Sequence, residues 1–80
     1  MDTDYIYPCT IIADRYGGSY SGALFTAWNM DFDMVPMDID RGDIDCDNFW
    51  HNYSGLVGKG STPQEAYNDL KRRIRERIVN

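Results

Sequence analysis

Glutamate is missing from the first sixty residues of this 80-residue chain, where all ten acidic side chains are Asp. Asp favours turns and caps over helix or strand interiors, so irregular backbone is expected where it clusters. Histidine occurs once, as His51, and cysteine twice, as Cys9 and Cys46, with no C-x-x-C. That set falls short of a structural zinc site, and no elbow or spacing around His51 supports a nucleophilic triad. Neither a catalytic residue nor a metal or cofactor is expected, and an enzyme is the least favoured class. Cationic residues are also scarce, with eight Lys and Arg against thirteen acids, a net charge of -5 and a sequence pI near 4.5. A free nucleic-acid binder carries the opposite sign. No apolar run approaches the roughly 20 residues of a membrane span, and Met1-Asp2-Thr3-Asp4 lacks a signal-peptide pattern. A cytoplasmic protein with two thiols and no membrane contact is the expectation, although one disulfide is arithmetically open. Repeats, low-complexity tracts and linkers are absent too, and 9.3 kDa leaves room for one small acidic domain over residues 1–80.

What is present is an uneven distribution of charge. Residues 1–60 carry a net of -7, whereas residues 61–80 carry +2. Seven Asp fall between positions 31 and 47: Asp31, Asp33, Asp38, Asp40, Asp43, Asp45 and Asp47. Only Arg41 opposes them within that stretch, which is worth -6.

Hydrophobic and β-branched residues predict a strand over Tyr5–Ala13, with Pro8 demoting it to an edge or an early kink. Residues 14–22, with three Gly and two Ser, read as a mobile hairpin tip before a second strand over Ala23–Met30. Asp43 or Asp45 can cap a short helix through Phe49 and Trp50, and Leu56–Gly60 is short enough for a third strand. Thr62-Pro63-Gln64-Glu65 is a capping box with Pro at the first helical position. Ala66, Leu70, Ile74 and Ile78 then repeat every four residues, with Tyr67 alongside, which predicts a helix over Pro63–Val79. Arg73, Arg75 and Arg77 suit its negative end. The expected fold is α+β: a three-stranded antiparallel sheet packed on one long C-terminal helix, with a short helix in an acidic insert.

Two hairpin strands followed by Gly58-Lys59-Gly60-Ser61-Thr62-Pro63-Gln64-Glu65-Ala66 opening a long helix resemble the partial RNase H-like module of HicB antitoxins. In that family a Gly, a Thr or Ser and a PEEA-like run lead from the third strand into the helix. The resemblance covers residues 5–30 and 55–79; the insert at 31–54 has no counterpart, and no DNA-binding domain follows. The chain is also similar in kind to the small acidic proteins of phages and mobile elements, the anti-CRISPR proteins among them. Residues 14–22 and 43–50 further resemble uncharacterised phage proteins, a likeness that transfers no site residues.

The seven Asp are the leading candidate site. In an extended chain Asp43, Asp45 and Asp47 would share a face at about 6.6 Å spacing. Duplex DNA carries one charge per roughly 1.7 Å, so one row is about fourfold too dilute to imitate it, and several rows or a homodimer would be needed. The simpler reading is a solvated acidic loop that keeps a small protein soluble. Asp43-x-Asp45-x-Asp47 also matches the start of a calcium loop, but Asn48 stands where Gly is required and Ser54 where the bidentate Glu belongs. The Arg-bearing helix face reads as solvated, with contact to the acidic stretch of a second copy as its other use. Tyr16 and Tyr20 stand out as anchors beside the glycine loop, since exposed aromatics there make binding hot spots. Trp28, Phe32, Trp50 and Tyr53 are further aromatics near loops, with core filling favoured for Trp28 and Phe25.

Size, acidity and the resemblance to anti-CRISPR proteins together imply a phage or mobile-element inhibitor in the host-cell cytoplasm. Its partner would be a host protein or ribonucleoprotein complex, such as the basic groove of a CRISPR effector. The site residues would be the seven Asp with Tyr16 and Tyr20, without direct contact to nucleic acid. The competing classes are a protein that sequesters a nucleotide signal on the Gly17–Gly18 loop, and a HicB-like antitoxin partner.

Overall fold

Backbone chemistry divides the chain at its Pro and Gly residues, and the computed structural model, which describes residues 6–79, follows that division. Two short strands come first, β1 (Thr10–Ala13) and β2 (Phe25–Trp28). The insert holds two single-turn 3-10 segments, Phe32–Met34 and Met37–Asp40, and the helix α1 (Asp43–Asn52). The strand β3 (Gly58–Gly60) and the helix α2 (Pro63–Val79) complete the chain. The strands form an antiparallel sheet in the order β1-β2-β3, with Ile12 opposite Thr26 and Thr26 opposite Lys59. The fold is α+β, a three-stranded antiparallel sheet with a long C-terminal helix and a shorter helix in the insert.

Alternation along β2 assigns its residues to two faces. Ala27 and the half-buried Phe25 meet α2 through Ala66, Leu70 and Ile74. Trp28 faces the other way, into a cluster with Val35, Ile39 and Val57 that Ile12, Phe49, Trp50 and Tyr53 complete. Thr26 lies on that same face, where its hydroxyl accepts the Trp28 indole N–H at 2.9 Å. The sheet is therefore covered twice, by α2 on one face and by the insert on the other. Trp28 and Leu70 are both fully buried, one in each core.

α2 matches its predicted span. Thr62 Oγ1 accepts the Glu65 N–H at 3.1 Å, and the Glu65 carboxylate reaches back to the Ser61 N–H at 3.0 Å. The helix lies close against β3 because Gly58 and Gly60 point at it. A Cβ on Gly58 would run into the Ala66 carbonyl and lie 2.6 Å from Leu70 Cβ, and one on Gly60 would lie 2.5 Å from the Ala66 nitrogen. The side chain of Ile78, the last predicted member of the apolar stripe, lies outside the described residues, as does Tyr5 at the predicted start of the first strand.

Four local expectations are corrected. β1 begins at Thr10, because Pro8 offers no N–H to a ladder and the Ile6 N–H is taken by the Tyr67 hydroxyl of α2 at 3.2 Å. β2 begins at Phe25, because Ala23 and Leu24 belong to the preceding turn. That turn is not an open tip. Asp14 closes it by accepting the Tyr16 and Gly18 N–H groups at 3.1 and 2.6 Å and the buried Ser21 hydroxyl at 2.9 Å. Gly17, Gly18 and Gly22 supply the positive φ values the tight path requires. The cap of α1 is Gly42, with no side-chain bond, rather than Asp43 or Asp45. Both Asp instead sit in the first turn, where their charge favours the positive end of the helix dipole.

Candidate functional site in the acidic insert

Helical backbone changes how the Asp cluster is presented. Asp43, Asp45 and Asp47 lie within α1, so the extended row is not formed. At 3.6 residues per turn, Asp43 and Asp47 share one side and Asp45 faces away from them. Asp33, Asp38 and Asp40 lie within the two 3-10 turns, and Asp31 immediately precedes the first. All seven stay in the layer that covers the Trp28 face of the sheet; six are exposed and Asp47 is half-buried. Six of them, all but Asp31, fall into three groups around that layer. Asp33 and Asp40 line one cavity, Asp38 and Asp45 line a shallow depression with Asn52, and Asp43 and Asp47 lie near Tyr20.

Little cationic charge reaches them. Arg15 lies 3.8 Å from Asp40, Arg41 lies 3.5 Å from Asp38, and His51 lies 3.3 Å from Asp47. These are solvent-exposed pairs, and such pairs contribute about 0–1 kcal/mol each. Arg72 and Arg73 of α2 are engaged elsewhere. Arg72 bridges Asp69 at 2.5 Å and Glu76 at 3.0 Å, and Arg73 holds Asp69 at 2.6 Å. Asp69 also accepts the Lys59 N–H at 2.9 Å, which ties α2 to β3. Partial burial pushes the Asp69 carboxyl up, but the hydrogen bonds from Arg73, Lys59 and Arg72 outweigh it and hold the group below its ordinary value.

Tyr16 and Tyr20 are half-buried and pack edge to face, with centroids 5.3 Å apart. The Tyr16 hydroxyl donates to the Arg41 carbonyl at 2.6 Å, and Arg15 donates to the Asp40 carbonyl at 3.0 Å. The pair therefore latches the Asp14 turn onto the insert just before α1. Desolvation raises both phenols above their ordinary value, and the Asp43 carboxylate adds to the effect. Trp50 and Tyr53 are core aromatics: Trp28 lies 5.9 Å from Trp50 and 5.7 Å from Tyr53, and Lys59 Nζ sits 5.1 Å from the Trp50 ring.

Both cysteines are free thiols and lie in different cores, Cys9 against the α2 cluster and Cys46 in α1. Burial raises the Cys46 thiol, the carboxylates of Asp14, Asp43 and Asp47 add to it, and the Trp50 indole opposes them. Among the described residues no three His, Cys, Asp or Glu side chains converge as a metal site.

The insert also exposes apolar groups, of which sequence reasoning singled out Phe32 among the aromatics near loops but passed over Met34 and Met37. Phe32, Met34 and Met37 are 73%, 68% and 70% exposed. The signal was the alternation in Asp31-Phe32-Asp33-Met34-Val35-Pro36-Met37-Asp38-Ile39-Asp40, which sends Val35 and Ile39 inward and leaves the other apolar side chains outside. Phe32 and Met37 border a cavity of about 340 Å³ between the insert and the sheet. Ile12, Thr26, Ile39 and Trp50 line its interior, and Arg15 joins Asp33 and Asp40 among its polar groups.

Comparison with protein-family models, curated proteins and solved structures gave no match. The functional reading therefore rests on this surface. Among the described residues no helix is long and apolar enough to cross a membrane.

Proposed function

We propose that this chain is an inhibitor of the kind phages and mobile elements carry, similar to anti-CRISPR proteins. Its acidic insert docks on a basic nucleic-acid groove of a host ribonucleoprotein complex, a CRISPR effector in the simplest case. It acts in the host cytoplasm by occupying the groove, with no catalysis. One observation carries the reading: the seven Asp share a layer on the face of the sheet opposite α2, whose Arg72 and Arg73 pair with acids of their own helix. Complementary charge of this sort raises association rates by about 10–10³ and falls off with salt. A phosphate-bearing ligand would meet repulsion on the same surface, which favours a protein partner over a nucleotide.

The test is phage plating on bacteria that carry defined CRISPR effectors. Expression of the chain is expected to restore plaques against at least one effector. A variant with Asn at all seven positions, shown to be folded by circular dichroism, is expected to lose that effect. Equal potency of the variant, or no restoration with any effector, would refute the proposal.

A further inference from the structure

Acidic residues alone explain attraction to a cationic surface but not the exposed apolar side chains of the two 3-10 segments, Phe32, Met34 and Met37. Phe32 and Met37 border the 340 Å³ cavity, and the exposed Met34 shares the first 3-10 segment with Phe32. That volume is at the small end of ligand pockets, about 300–1,000 Å³, and is ample for one large side chain. The interior offers Ile12, Ile39 and Trp50 as walls, with the Thr26 hydroxyl already engaged as acceptor of the Trp28 N–H. Methionine adapts its shape to whatever it meets and is over-used at surfaces that receive varied apolar groups. Charge at the edge has one dominant sign. Asp33 and Asp40 stand against Arg15, which donates to the Asp40 carbonyl at 3.0 Å and lies 3.8 Å from the Asp40 carboxylate, leaving Asp33 without a paired cation among the described residues.

We infer that this cavity receives a single leucine-like or aromatic side chain from a basic protein segment, whose flanking Arg or Lys residues pair with Asp33 and Asp40. The inference rests on the acidic-surface reading for the sign of the partner, and it adds that the contact is made to polypeptide with an apolar anchor. The occupant inserts between Phe32 and Met37 and covers them, while the neighbouring carboxylates orient the segment. Nucleic acid would bring phosphates to the same two carboxylates, so it does not satisfy both halves of the site.

Two fluorescein-labelled peptides of equal charge test this, one with leucine flanked by arginines and one with serine in its place. Anisotropy at 0.15 M salt is expected to show about tenfold or tighter binding of the leucine peptide, as the burial of one such side chain implies. Phe32→Ser with Met37→Ser should bring the two peptides within twofold while leaving the serine peptide unchanged. Both positions are exposed, so the fold is retained. Asp33→Asn with Asp40→Asn should weaken both peptides by the same factor. In ¹⁵N-resolved spectra the Trp50 indole signal should move with the leucine peptide only. Equal affinity of the two peptides in the native chain overturns the apolar anchor and leaves the acidic reading standing. If neither peptide binds while plaque restoration persists, the cavity is overturned and another surface makes the contact. If plaque restoration also fails, the acidic reading falls with it. Reversible dimerisation abolished by Phe32→Ser would assign the cavity to a second copy and overturn the peptide proposal.

Discussion

Replacing Gly58 with Ala puts the contact between β3 and α2 to a test of sign. Gly to Ala at an unstrained strand position stabilises a protein by about 0.4–1 kcal/mol, because the unfolded chain loses freedom. Neither Gly58 nor Gly60 has a positive φ, so that gain is available to both. Packing opposes it. The new methyl would lie 2.6 Å from both the Cβ and the nitrogen of Leu70, and closer still to the Ala66 carbonyl. Carbon contacts settle near 3.5–4.0 Å, so α2 must shift by about 1 Å. Forcing a methyl into a filled core costs about 1–3 kcal/mol, and backbone opposite leaves no side chain to swing aside. A net loss of about 1.3 kcal/mol is expected. For a domain of this size that lowers Tm by about 5–10 °C, read by circular dichroism with urea unfolding as the equilibrium check. Gly60→Ala presses on Ala66 and Glu65 from the next turn of the strand and should cost a similar amount. Because one displacement of the helix relieves both, the double variant should lose less than the sum. An unchanged or raised Tm in either single variant would show that α2 does not lie this close to the sheet.

Asp14→Ala removes the acceptor for two N–H groups and the buried Ser21 hydroxyl, so a loss of about 2–3 kcal/mol is expected, with faster amide exchange confined to residues 14–24. Uniform exchange across the chain would contradict the role of Asp14 as the closure of the turn. Asp69 gives a pH dependence. Its carboxyl is held below the unfolded value, so its contribution is complete above the ordinary carboxylate range near pH 4 and fades as pH falls further. Asp69→Asn should flatten the acid limb of the stability curve below about pH 4 while the remainder keeps its shape. Phe32→Ser and Met37→Ser, at exposed positions, should each stay within about 0.5 kcal/mol of the native stability by urea unfolding. A larger loss would mean that these side chains support the fold.

The C-terminal helix is fully legible in the sequence, because its capping residues are local and its apolar stripe repeats at helical period. The strands are legible in place but not in length. Hydrophobic content at Ile6 and Cys9 marks packing against the α2 core, whereas ladder membership depends on N–H groups that Pro8 lacks and that the Asp14 turn redirects. α1 is legible as a helix through Phe49 and Trp50, yet its start is set by Gly42 and the dipole rather than by a side-chain cap. The role of the insert is the part that composition hides. Its polar residues dominate any count, while Val35, Ile39, Phe49, Trp50 and Tyr53 are too widely spaced to form one periodic pattern and converge only when 3-10 turns and a helix bend them onto Trp28. Exposure of Phe32, Met34 and Met37 likewise depends on which residues of an alternating run turn inward.

The double covering of β2 has a consequence for how this scaffold can vary. An acidic tract that looks like an ornament on a minimal sheet-and-helix unit is also the lid over the indole of Trp28. Trimming residues 31–54 to leave only the sheet and α2 would expose an aromatic wall to water and invite clumping, so variants can reshape the rim freely but must keep a roof.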